Sequence, residues 1–517
     1  MAGLLAAFLF LTFQGQLATS SVSGTVVVAG TSTPIPKAHV TILGPQVVRI
    51  DSDDSGHFAV RDIQPGKYRI AVAADGYMPG QYGRRIGSGP GSEIDVASGQ
   101  ERNDIIVNLI AKGSISGRVS NANGDLIPNA RVQLLRYTYQ DGRRILISAN
   151  NAMTDSRGEY GFVSLAPGPY VVSAIPSENA NALPVYFPGL TDISSASTID
   201  LPSGLAMSGI DIRLTDVRPL RVRGQVISAL TNQPAAGASV TLVPRRGTVS
   251  TGSTQRGVSD AGGAFEFNRM APGSYDVVAS VNGNGERLAT AVPIDVAAND
   301  IDNISLVLQP QFMITGRITI DDPATSSGID LSRIRVELRR EPFTQELLIL
   351  IPTVAADGTF TMAGITPGDY ALKVTAGSRA YVKSARFGGI DALNPPFHID
   401  AGAGELDIAV SSNSGSLDAI VFDDKQSPIP DATIVLVPEP PKRNRTDLYD
   451  ALGTDATGHA HLTGLAPGDY RIFAWDDIPA DAWQDSDFIR PYESRGILIH
   501  VLEGNADTVQ LDLISRP

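Results

Sequence analysis

Hydrophobic and polar residues alternate in short runs along most of this chain. Ala38-His39-Val40-Thr41-Ile42 is one such run, and it returns as Ala130-Arg131-Val132-Gln133-Leu134, Ala238-Ser239-Val240-Thr241-Leu242 and Ala432-Thr433-Ile434-Val435-Leu436. A period of two sends successive side chains to opposite faces, so each run predicts a strand with one buried face and one wet face. Ahead of these runs stands an opening strand with a Gly-x-Val type step: Ser23-Gly24-Thr25-Val26, Ser116-Gly117-Arg118-Val119, Arg223-Gly224-Gln225-Val226 and Thr315-Gly316-Arg317-Ile318, with Ala419 at the glycine position of a fifth copy. Further strands are predicted at 68–73, 170–174 and 275–280, and closing strands at 105–109, 210–214, 304–308 and 509–513. About seven short strands per hundred residues is the density of a β-sandwich.

Between these strands a turn phrase is written five times. It reads Asp54-Ser55-Gly56-His57-Phe58 followed by Ile63-Gln64-Pro65-Gly66-Lys67-Tyr68, and it returns with Pro167, Pro272, Pro367 and Pro467, which are spaced 102, 105, 95 and 100 residues apart. A period near one hundred is that of a whole domain able to bury its own core. Asp followed by Gly supplies what a tight hairpin needs, and Pro-Gly suits a type II turn. The tyrosine after each Pro-Gly (Tyr68, Tyr170, Tyr275, Tyr370, Tyr470) is placed to pack its ring in the core while its hydroxyl bonds turn backbone, like the tyrosine corner of immunoglobulin-type sandwiches. These tyrosines, with Gly66, Gly168, Gly273, Gly368 and Gly468, are therefore expected to be structural.

The expected fold is all-β, a tandem array of seven-stranded, transthyretin-like or Ig-like sandwiches joined end to end. Boundaries fall at 21–112, 113–217, 218–310, 311–413 and 414–517, with 1–20 as a signal peptide. The Asp-x-x-Gly-x-Phe, Leu-x-Pro-Gly-x-Tyr and Ser-Gly-x-Val phrases resemble the carboxypeptidase regulatory-like domain, also grouped with carbohydrate-binding-like folds. The fifth copy, with Trp475, Trp483, Phe488 and Tyr492, is similar to the terminal module of large bacterial surface or periplasmic proteins. The resemblance implies a fold and leaves activity open; the peptidase domain that accompanies this module in carboxypeptidases has no counterpart in the sequence.

Composition agrees with export and with a non-enzymatic role. The apolar run at 4–13 has the length of a signal-peptide core, although no Lys or Arg precedes it. No cysteine occurs, which excludes disulfides, thiolate metal sites and cysteine nucleophiles. The net charge of -14 is spread along the chain without a basic stripe, which argues against nucleic acid as a partner. Later apolar runs are too short to span a bilayer. No nucleophile elbow or phosphate-binding loop appears, and catalytic residues, metal ligands and cofactors are all expected to be none. His500-x-x-Glu503 imitates a zinc pair but lacks a distal third ligand. The segment 51–62 imitates an EF-hand loop, yet strands flank it and a solvated turn is the better reading.

Two features remain as candidate binding elements. Basic residues follow the second strand in four copies (Arg143 and Arg144, Arg245 and Arg246, Arg339 and Arg340, Lys442 and Arg443). At equivalent corners of an array they would line one edge and meet carboxylate or sulfate groups. Trp475 and Trp483 would offer a sugar platform if exposed. The expected partners are a polysaccharide or an envelope protein. The function read from the sequence is an exported scaffold or binding protein; a carbohydrate- or peptide-binding accessory protein, or the regulatory subunit of a separate peptidase, is the alternative.

Overall fold

The computed structural model describes residues 20–83, 91, 93–140, 142–175, 183–215, 220–244, 248–249, 254–283, 286–297, 299–321, 329–341, 349–377, 380–394, 396–402, 404–455 and 457–515. The expected signal segment, apart from Ser20, therefore lies outside the described residues, as do Arg245, Arg246 and the side chain of Arg143. Ser20 is buried and starts the first strand, Ser20–Val28, with its hydroxyl donating to Ala97 O at 2.8 Å. The first sandwich thus already includes Ser20, one residue ahead of the expected boundary.

The fold is all-β. In the first repeat the opening strand lies between His57–Ile63, antiparallel to it, and the closing strand Glu101–Leu109, parallel to it. The facing sheet runs Val48–Asp51, His39–Leu43, Gly66–Ala73, Gly80–Gln81, with Glu93–Val96 also on the third strand. The fifth repeat copies this plan with His459–Leu465, Gly415–Phe422 and Ala506–Asp512 against Asp450–Gly453, Thr433–Pro438, Gly468–Trp475 and Ile497–Val501. In the third repeat a long hairpin, Gly273–Gly283 with Glu286–Val296, joins both halves into one seven-stranded sheet. Each copy of the phrase has its own buried aliphatic core, such as Val22, Val26, Val40, Ile42 and Ile70 in the first and Leu417, Val421, Ile434, Leu436 and Ile472 in the fifth.

The turn phrase is built as a three-residue hairpin with a left-handed glycine. Gly56, Gly158, Gly263, Gly358 and Gly458 have φ between 67° and 82°, and each carbonyl accepts from the opening strand, as Val26 N to Gly56 O at 2.8 Å. The carboxylate that organises the first turn belongs to Asp53 rather than Asp54: it accepts from the backbone N–H groups of Ser55 and His57 at 2.9 and 2.8 Å. Asp155, Asp260 and Asp455 do the same, whereas Ala355 holds this position in the fourth repeat and Asp357 instead accepts from Thr359. A second recurrent group sits one residue earlier. The buried hydroxyls of Ser52, Thr154, Ser259 and Thr454 each accept from an alanine N–H and donate to a carbonyl across the loop, as Ala38 N to Ser52 Oγ at 2.9 Å and Ser52 Oγ to Ile35 O at 2.8 Å. Val354 replaces it in the fourth repeat, so the hydroxyl and the carboxylate are lost together.

The Pro-Gly corner differs from the type II turn expected. There the glycine would sit near φ of about +80°; here Gly66, Gly168, Gly273, Gly368 and Gly468 have φ from 134° to 158° and each is the first residue of its strand. The tyrosine two residues on enters the core. Its hydroxyl donates to the carbonyl four residues earlier: Tyr68 to Gln64, Tyr170 to Ala166, Tyr370 to Thr366 and Tyr470 to Ala466 at 2.8 Å, and Tyr275 to Ala271 at 3.0 Å. Burial holds the phenols of Tyr68, Tyr170 and Tyr470 above the ordinary tyrosine range and that of Tyr275 up to about 12.

The opening-strand glycine answers a close approach. A Cβ at Gly24, Gly117 or Gly224 would lie 2.2, 2.0 or 2.2 Å from a carbonyl oxygen of the closing segment, and in the first and third repeats the ladder shifts register just before that glycine. In the fifth repeat the ladder runs without a shift, and Ala419 fits.

One further expectation fails. The second strand has one wet face only in the first repeat; in the others its outward residues Gln133, Thr241, Glu337 and Val435 are buried as well. Successive repeats also touch. The chain divides into two compact units, 1–111 and 112–517. Within the second, Arg143–Met153 pairs with Thr248–Val249, Gln311 N donates to Arg287 O, and Tyr381 donates to Glu503 at 2.6 Å, linking successive repeats.

Candidate functional site: basic loops, histidines and an aromatic face

Along the chain the basic residues stand at unequal distances from the position that faces the corner tyrosine. Arg340 faces Tyr370 across its ladder, and the residues that face the corner tyrosine elsewhere are Arg136, Pro244 and Pro438. From that position Arg245 is the next residue, Lys442 is four further on and Arg143 seven further on. The described cations are also engaged locally. Arg144 stacks 3.6 Å above the Tyr137 ring. Arg339 pairs with Glu337 at 3.0 Å, both largely buried, and Arg340 donates to Thr366 Oγ1 at 2.6 Å and to Pro367 O at 3.4 Å. Arg443 pairs with Glu493 at 2.5 Å and holds its carboxyl below the usual range. Lys442 Nζ lies close over Gly468. Arg339, Arg340 and Arg443 are thus engaged with carboxylates, a hydroxyl and a carbonyl of their own repeats; Arg245, Arg246 and the side chain of Arg143 lie outside the described residues.

Four of the histidines, His39, His398, His461 and His500, are cross-strand partners of aspartates. His500 bonds Asp469 at 2.6 Å, and His398 bonds Asp369 at 2.7 Å at the same register one repeat earlier. Ser274 and Asp295 bond at 2.6 Å at this place in the third repeat. Glu503 turns away from His500 to accept from Tyr381 and Asn413. In the EF-hand-like segment Asp51 bonds His39 and Asp53 is taken up by the turn. Among the described residues no group of three or more His, Asp or Glu side chains is arranged to hold a metal ion.

The aromatic face of the fifth repeat is a second core rather than an exposed platform. Trp475 is only 1% exposed, stacked on Phe473 at 4.9 Å and met edge-on by Tyr492 at 5.7 Å. With Val435 and Val437 it forms the outer face of the sheet, and residues 476–496 fold back across it through Ile478, Ala482, Trp483, Phe488 and Ile489. Arg471 pins this cover, pairing with Glu439 at 2.9 Å and donating to the carbonyls of Glu493 and Gly496. Trp483, itself part of the cover, is half-buried. A smaller version closes the second repeat, where Tyr186, Ile193 and Ala196 pack on Leu135, Leu146 and Val171. Among the described residues no helix is long and apolar enough to cross a membrane.

Residues 21–108, 114–181 and 221–309 match the carboxypeptidase regulatory-like domain. Colossin-A of Dictyostelium discoideum is 23% identical over 365 residues, 63% of this chain, which itself spans 3% of that protein's length. Among solved structures, the minor pilin of Streptococcus agalactiae is similar with 12% identity and a TM-score of 0.23, covering 38% of this chain and 96% of its own. Two B repeat units of the collagen-binding protein of Staphylococcus aureus are similar with 13% identity and a TM-score of 0.15, covering 77% and 100%.

Proposed function

From a chain that carries the carboxypeptidase regulatory-like domain in tandem, we propose a non-enzymatic scaffold or binding protein that is exported and works at the cell envelope, with five such sandwiches as its domains. One observation carries this reading: the groups that recur from repeat to repeat are bonded inside their own repeat. The corner tyrosines, the turn carboxylates and the loop hydroxyls all end on backbone of the same sandwich. Repetition has multiplied architecture, which is what a spacer or a set of docking surfaces requires. The partner expected is an envelope protein or polysaccharide, met by surfaces that differ among repeats.

The test uses the full chain, immobilised and exposed to solubilised envelope of its own organism, alongside assays on peptidase, esterase and glycosidase substrates. Retention of a saturable component without turnover supports the proposal. Turnover that copurifies with the chain and is lost on heating would overturn it.

A further inference from the structure

Among the described residues, the second and fifth repeats, separated by two others along the chain, meet at a small and specific contact. Tyr139, near the tip of the hairpin formed by Arg131–Gln140 and Arg143–Met153, places its ring edge-on to Phe488 at 5.8 Å and 71°. Gly142, in that tip, has φ of 70° and forms a socket: a Cβ there would stand 2.8 Å from the carbonyl oxygen of Gln484 and 2.9 Å from its Cβ. Phe488 and Gln484 both belong to the 476–496 cover, whose inner side packs on the fifth sheet. The cover thus has two faces, one holding its own sandwich and one gripping the hairpin.

We propose that this cover is a latch, fastening the fifth repeat to the second and closing repeats two to five into one body, and that it opens without unfolding either sandwich. The two sides differ in what they rest on. The inner side is held by Trp475, Phe473 and the Arg471 and Arg443 ion pairs, whereas among the described residues the outer grip comprises the ring of Tyr139, set against Phe488 and the rim of the same cluster, and the glycine socket. Covalent linkage through the intervening repeats supplies the effective concentration that makes so small a grip close, and also lets it reopen.

The chain has no cysteine, so Gly142→Cys with Gln484→Cys in the full chain reports the contact directly. A shift of less than about 1 Å brings the two Cβ atoms to disulfide spacing. At low protein concentration and mild oxidation the expected result is an intramolecular link in most molecules, seen by non-reducing electrophoresis and by the joined peptide in mass spectrometry. Gly142→Asn is the second arm, since asparagine tolerates a left-handed backbone but fills the socket; Phe488→Ala is the third. Both are expected to raise the radius of gyration in solution scattering while the far-ultraviolet circular dichroism stays that of the parent. Absence of the link, or links only between molecules, would overturn the contact. A link together with an unchanged radius in both single variants would show a fixed joint and overturn the latch.

Discussion

The outer sheet faces of the first and fifth repeats occupy the same register with opposite character. In the first repeat that face carries His39, Thr41 and Leu43 beside Arg69, Ala71 and Ala73; in the fifth the same positions are Thr433, Val435 and Val437 beside Arg471, Phe473 and Trp475. Leu43 is 43% exposed, whereas Val437 and Trp475 are each 1% exposed. The inner faces are alike, aliphatic with a corner tyrosine in both. One sandwich plan therefore serves either as a sheet with a wet back or as a sheet with a second core on its back, and the choice is made by alternate residues of two strands.

The sharpest way to break this comparison is to remove the second core. Trp475→Ala is expected to destabilise the fifth repeat by about 3–5 kcal/mol, as large-to-small changes in packed cores do. Arg69→Ala on the first repeat should stay within about 0.5 kcal/mol, as for ordinary surface positions. Denaturant unfolding of the full chain, followed by tryptophan emission for the fifth repeat and circular dichroism for the remainder, separates the two. Equal costs would mean that the cover contributes no core.

Exchanging one residue between the two faces sharpens the contrast further. Val435→Thr writes Thr41 into the covered face and is expected to cost about 1–3 kcal/mol, since the hydroxyl is buried without a designed partner. Thr41→Val in the first repeat should change stability by less than about 0.5 kcal/mol. A neutral Val435→Thr would show that water reaches beneath the cover.

The corner is where the two repeats should behave alike. Tyr68→Phe, Tyr170→Phe and Tyr470→Phe each remove one hydroxyl bond and are expected to cost about 1 kcal/mol without loss of fold; unchanged melting would remove the corner from the account. The same phenols set an alkaline limb. Their folded pKa values lie above the unfolded one, so stability is intact below about pH 10 and falls as pH rises through the folded values, to about 12 for Tyr275. In Tyr275→Phe the contribution of the third repeat to this limb should disappear, which unfolding midpoints between pH 9 and 12 would show.

Much of the architecture was legible because its determinants are local. Pro-Gly-x-Tyr and Asp-x-x-Gly fix turns over four to six residues and are read directly along the chain. The fuller phrase Ser/Thr-Asp-x-x-Gly would also have found the loop hydroxyl and chosen Asp53 over Asp54. What alternation obscured was the covered face. Val435, Val437, Phe473 and Trp475 fall where an alternating strand should be polar, so Thr-Ile-Val-Leu-Val-Pro and Arg-Ile-Phe-Ala-Trp already read as strands buried on both sides. Gln133 and Ser173 give no such sign: they are polar, yet buried on the sheet face they share with Leu135 and Val171, which Tyr186, Ile193 and Ala196 cover. The basic residues are a different case. Similar residues at unequal distances from the corner look equivalent in sequence, and only the ladder register separates Arg340 from Lys442.

The smallest expected effect concerns the strand beside these faces. Val48 of the first repeat and Asp450 of the fifth hold the same place, opposite Ile42 and Leu436 respectively. Burial pushes the Asp450 carboxyl above the usual range, with the Ala451 N–H bond only partly opposing it. A carboxylic acid whose folded pKa is raised binds its proton more tightly in the folded state, so its ionisation costs stability as pH climbs from the unfolded value, about 3.9, through the folded one. Asp450→Asn keeps the acceptor for Ala451 and removes the charge. It is expected to gain less than about 1 kcal/mol at pH 7, with the gain vanishing near pH 3, where both proteins are neutral at this site. Chemical unfolding of parent and variant at the two pH values measures the difference. A gain of equal size at pH 3 would assign it to packing, and a loss at pH 7 would show the carboxylate paired in solution, making the fifth repeat's edge as wet as that of the first.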